Sequence, residues 1–252
     1  MSAVLQLEGI CKRFGGIVVA DDITLDLERG QILGLIGPNG AGKTSLFNII
    51  TGVVPADAGD IRVNGESAAG RGVHERARMG IARTWQNMRL FRTMTVLENM
   101  VVAPRQYAGE SMARLCFRPA AVRRADGEAC EQAAAILERM QLGHLADSAV
   151  TDLPYGQQKL VGLARALMND GPCLLLDEPM AGVEGHAYET MRAVVRQEAQ
   201  AGRAVCVVEH NISFIKDLCT SAVFMSAGRI LERGRIADLL ASKTLAELYF
   251  GT

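Results

Sequence analysis

Apolar and polar residues follow two different patterns in the outer parts of the chain. Residues 23–27, Ile-Thr-Leu-Asp-Leu, alternate between apolar and polar, which predicts a strand with one face in water. Three other short runs, at 32–36, 173–176 and 204–208, are almost entirely apolar, as in strands buried on both faces of a parallel sheet. Residues 188–200, between the last two runs, have helical spacing. Strands that alternate with a helix in this way indicate a parallel α/β core.

The middle of the chain has a different pattern. Few strand-like runs occur between residues 87 and 151, whereas residues 129–140 have helical spacing. We therefore predict a helical subdomain over 87–151, inserted into an α/β core formed by 1–86 and 152–252. Within that core the first thirty residues favour strands. The final segment predicts a strand at 222–225, a hairpin near Gly228 and a closing helix.

Composition and charge restrict the function more than the fold. The 252 residues are 49% hydrophobic and 22% charged, which is typical of a soluble globular protein. The formal net charge of −1 argues against a protein that coats nucleic acid, so we expect no nucleic-acid partner. The N-terminus has no signal-peptide pattern, and no apolar stretch approaches the roughly 18 residues that span a bilayer. If the protein works at a membrane, another chain must hold it there.

The six cysteines form no CxxC pair, and Cys173 and Cys206 fall inside apolar runs. This distribution favours buried, reduced thiols over a metal or redox site. Reduced thiols fit a cytosolic chain.

A glycine-rich segment at residues 37–44 carries the clearest chemistry. Its sequence, GPNGAGKT, matches GxxxxGK[ST] in full and lies between a predicted buried strand and a predicted helix at 44–50. In this motif backbone N–H groups surround phosphates, the lysine reaches the β- and γ-phosphates, and the hydroxyl residue binds Mg²⁺. A turn that only caps a helix is the alternative, but the complete order of elements favours a nucleotide site. The residues expected to contact the nucleotide are Gly37, Pro38, Asn39, Gly40, Ala41, Gly42, Lys43, Thr44 and Ser45.

Two acidic residues end one of the predicted buried strands. The run at 173–176 is followed directly by Asp177 and Glu178. The carboxyl ends of parallel strands form the ligand crevice of such sheets, where the glycine-rich loop also lies. We therefore expect Asp177 to bind Mg²⁺, directly or through water, and Glu178 to polarise the attacking water. Acids after a strand can also simply mark solvent, but the upstream phosphate loop makes that reading less favourable.

Five further motifs follow the order found in the ABC-type ATPases, and the resemblance covers essentially the whole chain. Gln86 resembles the Q-loop glutamine of that family, and residues 153–158, LPYGQQ, resemble its LSGGQ signature. His210 resembles the switch histidine, residues 181–184 stand where the D-loop should be, and Phe14 matches an aromatic residue that usually stacks on adenine. A P-loop kinase or GTPase would leave the glutamine, the signature and the histidine unexplained.

The resemblance implies a fold and a role for each motif. The fold is a P-loop NTPase core with an N-terminal antiparallel β-subdomain and an inserted α-helical subdomain. His210 would contact the γ-phosphate and the attacking water, and Gln86 would link Mg²⁺ and that water to the helical subdomain. The helix that begins near Tyr155, Gly156 and Gln157 would direct its N-terminus at the γ-phosphate held by a second ATPase subunit, in a head-to-tail dimer. The implied catalytic residues are Glu178, His210, Gln86 and Lys43, and the implied metal contacts are Thr44, Gln86 and Asp177.

Three positions depart from the pattern of the family. Pro154 replaces the usual signature serine, Tyr155 replaces the first of two glycines, and Glu184 replaces the D-loop aspartate. Because a hydroxyl that would bind the partner's γ-phosphate is missing, hydrolysis would depend more on the N–H of Gly156 and on the helix dipole. We expect these changes to affect the rate and not the fold.

Several segments narrow the resemblance within the family. They are 12–16 (KRFGG), 80–87 (GIARTWQN), 89–91 (RLF), 94–99 (MTVLEN), 155–158 (YGQQ), 209–211 (EHN) and 248–251 (LYFG). These segments resemble the larger ATPase of bacterial branched-chain amino-acid importers, except that Trp85 stands where Phe is usual. The resemblance implies a subunit that hydrolyses ATP to energise uptake of branched-chain amino acids or a related small polar solute.

The same resemblance implies partners and a location. The subunit would be cytoplasmic and peripheral on the inner face of the plasma membrane, bound to two transmembrane permease subunits. An extracytoplasmic solute-binding protein would act on it indirectly, and the second ATPase subunit could be the same chain or a different one. Docking is expected near residues 86–91 and on the helical insertion. A basic stretch in that insertion could face anionic lipid, the permease or only solvent, and it consists of Arg114, Arg118, Arg123 and Arg124.

Two alternatives within the family stay open. An ATPase of a lipid or lipopolysaccharide exporter would share the P-loop and the C-terminal half, but would need no solute-binding protein. A soluble ABC protein that remodels nucleic acid or ribosomes usually carries two cassettes or a coiled-coil insertion, and this chain has neither. Its pI near 6.4 also gives little attraction to a phosphate backbone.

Overall fold

The structure, a computed structural model, describes residues 3–105 and 116–241, which form two sheets and the helices around them. The strands are β1 (Ala3–Phe14), β2 (Ile17–Glu28), β3 (Ile32–Ile36), β4 (Ala58–Val63), β5 (Glu66–Ser67), β6 (Ile81–Arg83), β7 (Cys173–Asp177), β8 (Ala204–Val208), β9 (Ser221–Ser226) and β10 (Arg229–Gly234). The helices are α1 (Lys43–Ile50), α2 (Val73–Arg78), α3 (Val96–Val101), α4 (Pro119–Arg139), α5 (Tyr155–Leu167), α6 (Gly185–Gln200), α7 (Ile212–Leu218) and α8 (Ile236–Ala241), with short 3₁₀ turns at Gly143–Leu145 and Val150–Asp152.

The larger sheet has six strands in the order β10-β9-β3-β8-β7-β6. The strands from β9 to β6 are parallel, and β10 pairs antiparallel with β9. The three apolar runs predicted as buried strands are β3, β7 and β8, and every residue in them is buried. Successive residues enter two different cores: Leu174 and Leu176 face one, and Cys173 and Leu175 face the other. The prediction of a parallel α/β core is confirmed.

The smaller sheet is antiparallel, in the order β2-β1-β4-β5. The alternating pattern at 23–27 lies in β2, where Ile23, Leu25 and Leu27 are buried while Thr24 and Asp26 are exposed. The buried residues pack on α1 and on one face of the larger sheet. The predicted strand with one wet face is therefore confirmed, and it brings the β1–β2 hairpin close to the end of β3.

Helices dominate the described part of the segment between residues 87 and 151. The helical spacing at 129–140 belongs to α4, and α3 begins with a capping box in which Thr95 accepts from the N–H of Glu98. A bridge between Thr95 and Ala149 joins the two ends of the segment. α5, which follows the segment, packs on α3, α4 and α6. The exact boundary at 151–152 remains a prediction, because α5 contacts helices on both sides of it.

The C-terminal hairpin is formed by β9 and β10, with Ala227 and Gly228 at the turn, as predicted. α8 lies in the segment predicted to hold the closing helix, and residues 248–251 lie outside the described residues, as does Arg114. Cys173 and Cys206 are buried free thiols, as predicted, and burial raises the pKa of Cys173 to about 12. Among the described residues, no helix combines the length and the apolar character needed to cross a membrane.

Candidate nucleotide site

The glycine-rich loop between β3 and α1 is shaped by contacts that exclude side chains. Gly37 has a φ of 151°, and a Cβ atom there would lie 1.9 Å from the carbonyl oxygen of Met225. Gly42 has a φ of 100°, and its Cβ would lie 2.2 Å from the carbonyl oxygen of Val19. Because only glycine fits both positions, the loop can pass between β9 and β2 and deliver the chain to the start of α1.

Lys43, the first residue of α1, is almost completely buried along this loop. Its Nζ atom donates hydrogen bonds to the carbonyl oxygens of Gly37, at 2.7 Å, and Pro38, at 2.9 Å. Burial lowers the pKa of Lys43, while the charges of Glu178 and Asp177 raise it. The amino group is therefore within electrostatic range of both acids that the sequence assigned to the site.

Asp177 ends β7 and is held by two neighbouring residues of the chain before the Q-loop. Its Oδ2 atom accepts a hydrogen bond from Nη2 of Arg83 at 2.7 Å, and its backbone N–H donates to the hydroxyl of Thr84 at 3.1 Å. Its Oδ1 atom is buried and has no hydrogen-bond partner among the described residues. A buried carboxylate oxygen without a partner is a suitable ligand for a hard cation, so the residue fits the predicted Mg²⁺ site.

Three of the four residues assigned to catalysis, Gln86, Glu178 and His210, meet at the carboxyl ends of β7 and β8. Nε2 of Gln86 donates to Oε2 of Glu178 at 2.9 Å, and Nε2 of His210 lies 3.1 Å from Oε1 of the same carboxylate. The N–H of Glu178 donates to the carbonyl of Val208 at 2.9 Å. The φ of Glu178 is 47°, a left-handed conformation that costs a non-glycine residue about 1–3 kcal/mol. Both carboxylate oxygens of Glu178 are thus fixed by side chains from two other segments.

The predicted signature residues lie at the start of α5, as expected. Pro154 is the N-cap, and no described side chain caps the helix, whose first residue, Tyr155, is half-exposed. Its ring packs on Gly182, and a Cβ added to that glycine would lie 2.9 Å from the ring. No hydrogen bond among the described residues joins 155–157 to the glycine-rich loop. Tyr155 instead lines a groove together with Gln86.

Phe14 lies at the end of β1 and is 48% exposed. Nζ of Lys12 lies 5.4 Å from the centre of its ring, and that amino group also pairs with Asp57 at 2.6 Å. The hairpin that carries Phe14 continues into β2, whose Val19 contacts the glycine-rich loop. The ring is accessible to a ligand, and its stacking on adenine remains a prediction.

Two charged residues that the sequence analysis did not assign also contact the site. Glu209 is buried and accepts hydrogen bonds from the N–H groups of Met180, at 2.7 Å, and His210, at 3.1 Å, and burial raises its pKa. Lys159 of α5 is buried, and its Nζ lies 3.2 Å from the carbonyl oxygen of Glu178 and 3.4 Å from that of Gln86. The sequence offers one indication of their role: each is a charged residue directly beside an assigned motif, Glu209 before His210 and Lys159 after residues 153–158.

Comparison with known proteins identifies the family of the chain. The family profile described as ABC transporter matches residues 20–181, which is more than half of the chain. The chain belongs to the ABC transporter family. This ABC protein is 33% identical over 249 residues to the high-affinity branched-chain amino acid transport ATP-binding protein BraF of Pseudomonas aeruginosa, with 98% of each chain covered. It is 34% identical to the probable branched-chain amino acid transport ATP-binding protein LivG of Archaeoglobus fulgidus, over 98% of this chain and 95% of the relative.

Solved structures give the same answer for the fold of this ABC protein. A nucleotide-free ATP-binding cassette from an ABC transporter superposes with a TM-score of 0.86 at 30% identity, over the whole of both chains. The ADP conformation of MJ1267, another ABC transporter cassette, superposes with a TM-score of 0.84 at 29% identity, again over both whole chains. The predicted ABC ATPase fold is confirmed. The chain is the ATP-binding subunit of an ABC transporter, an ATP hydrolase of that family.

Proposed function

We propose that this subunit energises uptake of branched-chain amino acids or a related small polar solute. One observation supports an importer over the lipid or lipopolysaccharide exporter that the sequence left open. Both curated relatives named above are branched-chain amino acid transport proteins that match nearly the whole chain.

The observation that carries the hydrolytic role is the convergence of Gln86, Glu178 and His210. With ATP on the glycine-rich loop, Lys43 and the loop N–H groups would hold the β- and γ-phosphates. Glu178 would accept a proton from the attacking water as general base. Gln86 and His210 both contact that carboxylate, which supports a role for each in orienting the same water.

The residues around the acids also fit a magnesium ion. Oδ1 of Asp177 and the hydroxyl of Thr44 would hold the ion, with the side-chain oxygen of Gln86 as a third contact. Mg²⁺ is usually bound through one or two carboxylates and completes its shell with water and substrate phosphates. When bound, the ion would offset the charge that develops on the β- and γ-phosphates.

The surface that begins with Tyr155 supports a two-subunit site. The N-terminus of α5 is uncapped by any described side chain and half-exposed, so its N–H groups and dipole can receive an anion from another chain. We propose that this anion is the γ-phosphate on a second ATPase subunit in a head-to-tail dimer, with Gly156 and Gln157 next to Tyr155 in the contact.

A groove beside the Q-loop supports docking on permease subunits. It has a volume of about 490 Å³, and its lining includes Leu90 and Arg92, the residues on either side of the half-exposed Phe91. Because Gln86 lines this groove, a partner bound there would contact the same residue that bonds to Glu178. Such docking would place the protein on the cytoplasmic face of the plasma membrane. The groove is lined by Gln86, Asn87, Met88, Arg89, Leu90, Arg92, Val150, Thr151, Tyr155 and Gln158.

The test is uptake by a reconstituted complex. The subunit is co-expressed with its co-purifying permeases, placed in proteoliposomes containing ATP, and supplied with radiolabelled leucine, isoleucine or valine and the solute-binding protein. We expect accumulation that requires both ATP and the binding protein, and that Glu178→Gln abolishes. ATP hydrolysis that never depends on the binding protein, together with no accumulation of any of these amino acids, would refute the importer proposal.

A further inference from the structure

Arg83 forms one of the most deeply buried ion pairs in the described part of the chain. Its side chain is 4% exposed, and Asp177, which it contacts at 2.7 Å, is 1% exposed. Arg83 is the last residue of β6, and β6 lies beside β7 in parallel register, so the pairing of the two strands fixes the approach of the two side chains. The contact joins residues 94 positions apart in the sequence.

The guanidinium of Arg83 also contacts α1, the helix that follows the glycine-rich loop. Its Nη1 atom donates to the side-chain oxygen of Asn48 at 2.7 Å and lies 3.4 Å from the hydroxyl of Thr51. Its central carbon lies 5.5 Å from the ring centre of Phe47. One planar group therefore connects the end of β7 with the helix that carries Lys43 and Thr44.

The same guanidinium stacks on Trp85. The distance from its central carbon to that ring is 4.3 Å, and the guanidinium of Arg89 lies 4.1 Å from the ring as well. Cation–π contacts of this kind with tryptophan are the strongest of their class. Since Trp85 precedes Gln86 directly, Arg83 also restricts the backbone that presents the Q-loop glutamine.

Stability alone explains this pair poorly. Burying two opposite charges carries a large desolvation penalty for each ion, and apolar residues of similar size are often as stable. Here the cost is larger because Oδ1 of Asp177 and Nε of Arg83 are buried without hydrogen-bond partners among the described residues. The arrangement occupies one carboxylate oxygen and leaves the other for a ligand.

We propose that Arg83 is a positioning residue for the metal: it fixes the carboxylate of Asp177 so that Oδ1 is presented to Mg²⁺, and it ties this carboxylate to α1 and the Q-loop. This role rests on the proposed magnesium site. Outer-shell partners of a metal ligand typically change metal affinity about 10–100-fold when they are removed. The contribution of Arg83 should therefore appear in the metal dependence of nucleotide binding, and not in nucleotide binding itself.

The test compares Arg83→Met and Arg83→Lys with the wild type in binding of a fluorescent, non-hydrolysable ATP analogue. The affinity for the analogue is measured once in EDTA and once with saturating Mg²⁺. The affinity in Mg²⁺ divided by the affinity in EDTA is the affinity ratio, and it gives the contribution of the metal. We expect Arg83→Met to lower this ratio about tenfold, with affinity in EDTA changed less than about twofold. Arg83→Lys should lower it about threefold, because an ammonium can pair with Asp177 but cannot also reach Asn48 in fork geometry.

A matched control is the buried pair between Arg203 and Glu198. The two side chains are each 10% exposed and 3.2 Å apart, and Arg203 precedes β8 at the amino edge of the sheet, opposite to Asp177. Arg203→Met removes a comparable buried cation, so it should lower thermal stability and leave the affinity ratio within about twofold of wild type.

The outcomes separate the two proposals. If Asp177→Asn lowers the ratio and Arg83→Met leaves it at the wild-type value, the role of Arg83 is wrong and the metal site stands. If wild type and Asp177→Asn bind the analogue equally with and without Mg²⁺, the proposed metal site is wrong, and the role of Arg83 is wrong with it. If circular dichroism shows that Arg83→Met is unfolded, Arg83→Lys decides: a wild-type ratio in that variant overturns the role.

Discussion

Replacing Glu178 by glutamine should separate ATP binding from hydrolysis, because the change removes the base but keeps its shape. In the structure one oxygen of Glu178 accepts from Gln86, and the other lies beside Nε2 of His210. An amide can keep both contacts, with its oxygen toward Gln86 and its NH₂ donating to the imidazole. We therefore expect the strained backbone at Glu178, the glycine-rich loop and the affinity for ATP to remain as in the wild type.

The magnitude follows from the lost proton acceptor. A positioned general base contributes about 10²–10⁴ in rate, which corresponds to roughly 3–5 kcal/mol of activation free energy. The hydrolysis rate should fall by that factor while the affinity for ATP changes less than about twofold. If the two-subunit site is correct, slow hydrolysis should also trap the closed dimer, which light scattering after size exclusion with MgATP would detect as a doubling of mass.

The control for this variant is Glu189→Gln on α6. Glu189 is exposed and pairs with Arg192 three residues later, a contact worth less than about 1 kcal/mol. It should hydrolyse ATP at the wild-type rate. Hydrolysis by Glu178→Gln within about threefold of that rate would refute the assignment of the base. A monomer that binds MgATP but never dimerises would refute a homodimeric site and indicate a different ATPase as the partner.

Two further predictions concern the residues that the sequence analysis did not assign. Lys159→Met should lower kcat about tenfold and leave the KM for ATP unchanged. The reason is that Nζ binds the carbonyl oxygens of Gln86 and Glu178 through charge-assisted hydrogen bonds worth about 1.5–3 kcal/mol. Lys216→Met, at an exposed position, is the control, and equal kcat values for the two variants would contradict the prediction. Burial raises the pKa of Glu209 above 4.5, so its contribution to the free energy of unfolding is greatest below that pH and falls as the pH rises toward the raised value. Urea unfolding between pH 4 and 8 should show this decline in the wild type and a flatter profile in Glu209→Gln, and parallel profiles would contradict it.

The sequence predicted elements that are specified locally. The apolar runs of β3, β7 and β8 are long enough to show burial on both faces, and the period of two in β2 survives because one side of that strand is in water. β6, with only three residues, is too short to show a period, and its position depends on pairing with β7. The local sequence pattern therefore predicts the strands, whereas the order of the strands in the sheet depends on how they pack.

The candidate site divides in the same way. Lys43 and Asp177 could be predicted as site residues because their spacing from a strand and a glycine-rich turn carries the chemistry. The contacts of Lys159 and Arg83 could not be predicted, because they depend on which strands and helices are neighbours in the fold. The residues in these contacts are 19 and 94 positions apart in the sequence. In the sequence, such a residue is recognisable only as a charged residue beside a motif. The residue that it contacts in the structure shows whether it supports the fold or the site.

The stacking on Trp85 has a spectroscopic consequence. The chain contains one tryptophan, so its intrinsic emission reports from a single position, directly before Gln86. Two guanidinium groups within 4.3 Å of that ring make its excited state sensitive to any displacement of either arginine. Any displacement of the Q-loop on nucleotide binding can therefore be timed by stopped-flow fluorescence in the unmodified protein, without a label that would disturb the groove beside it.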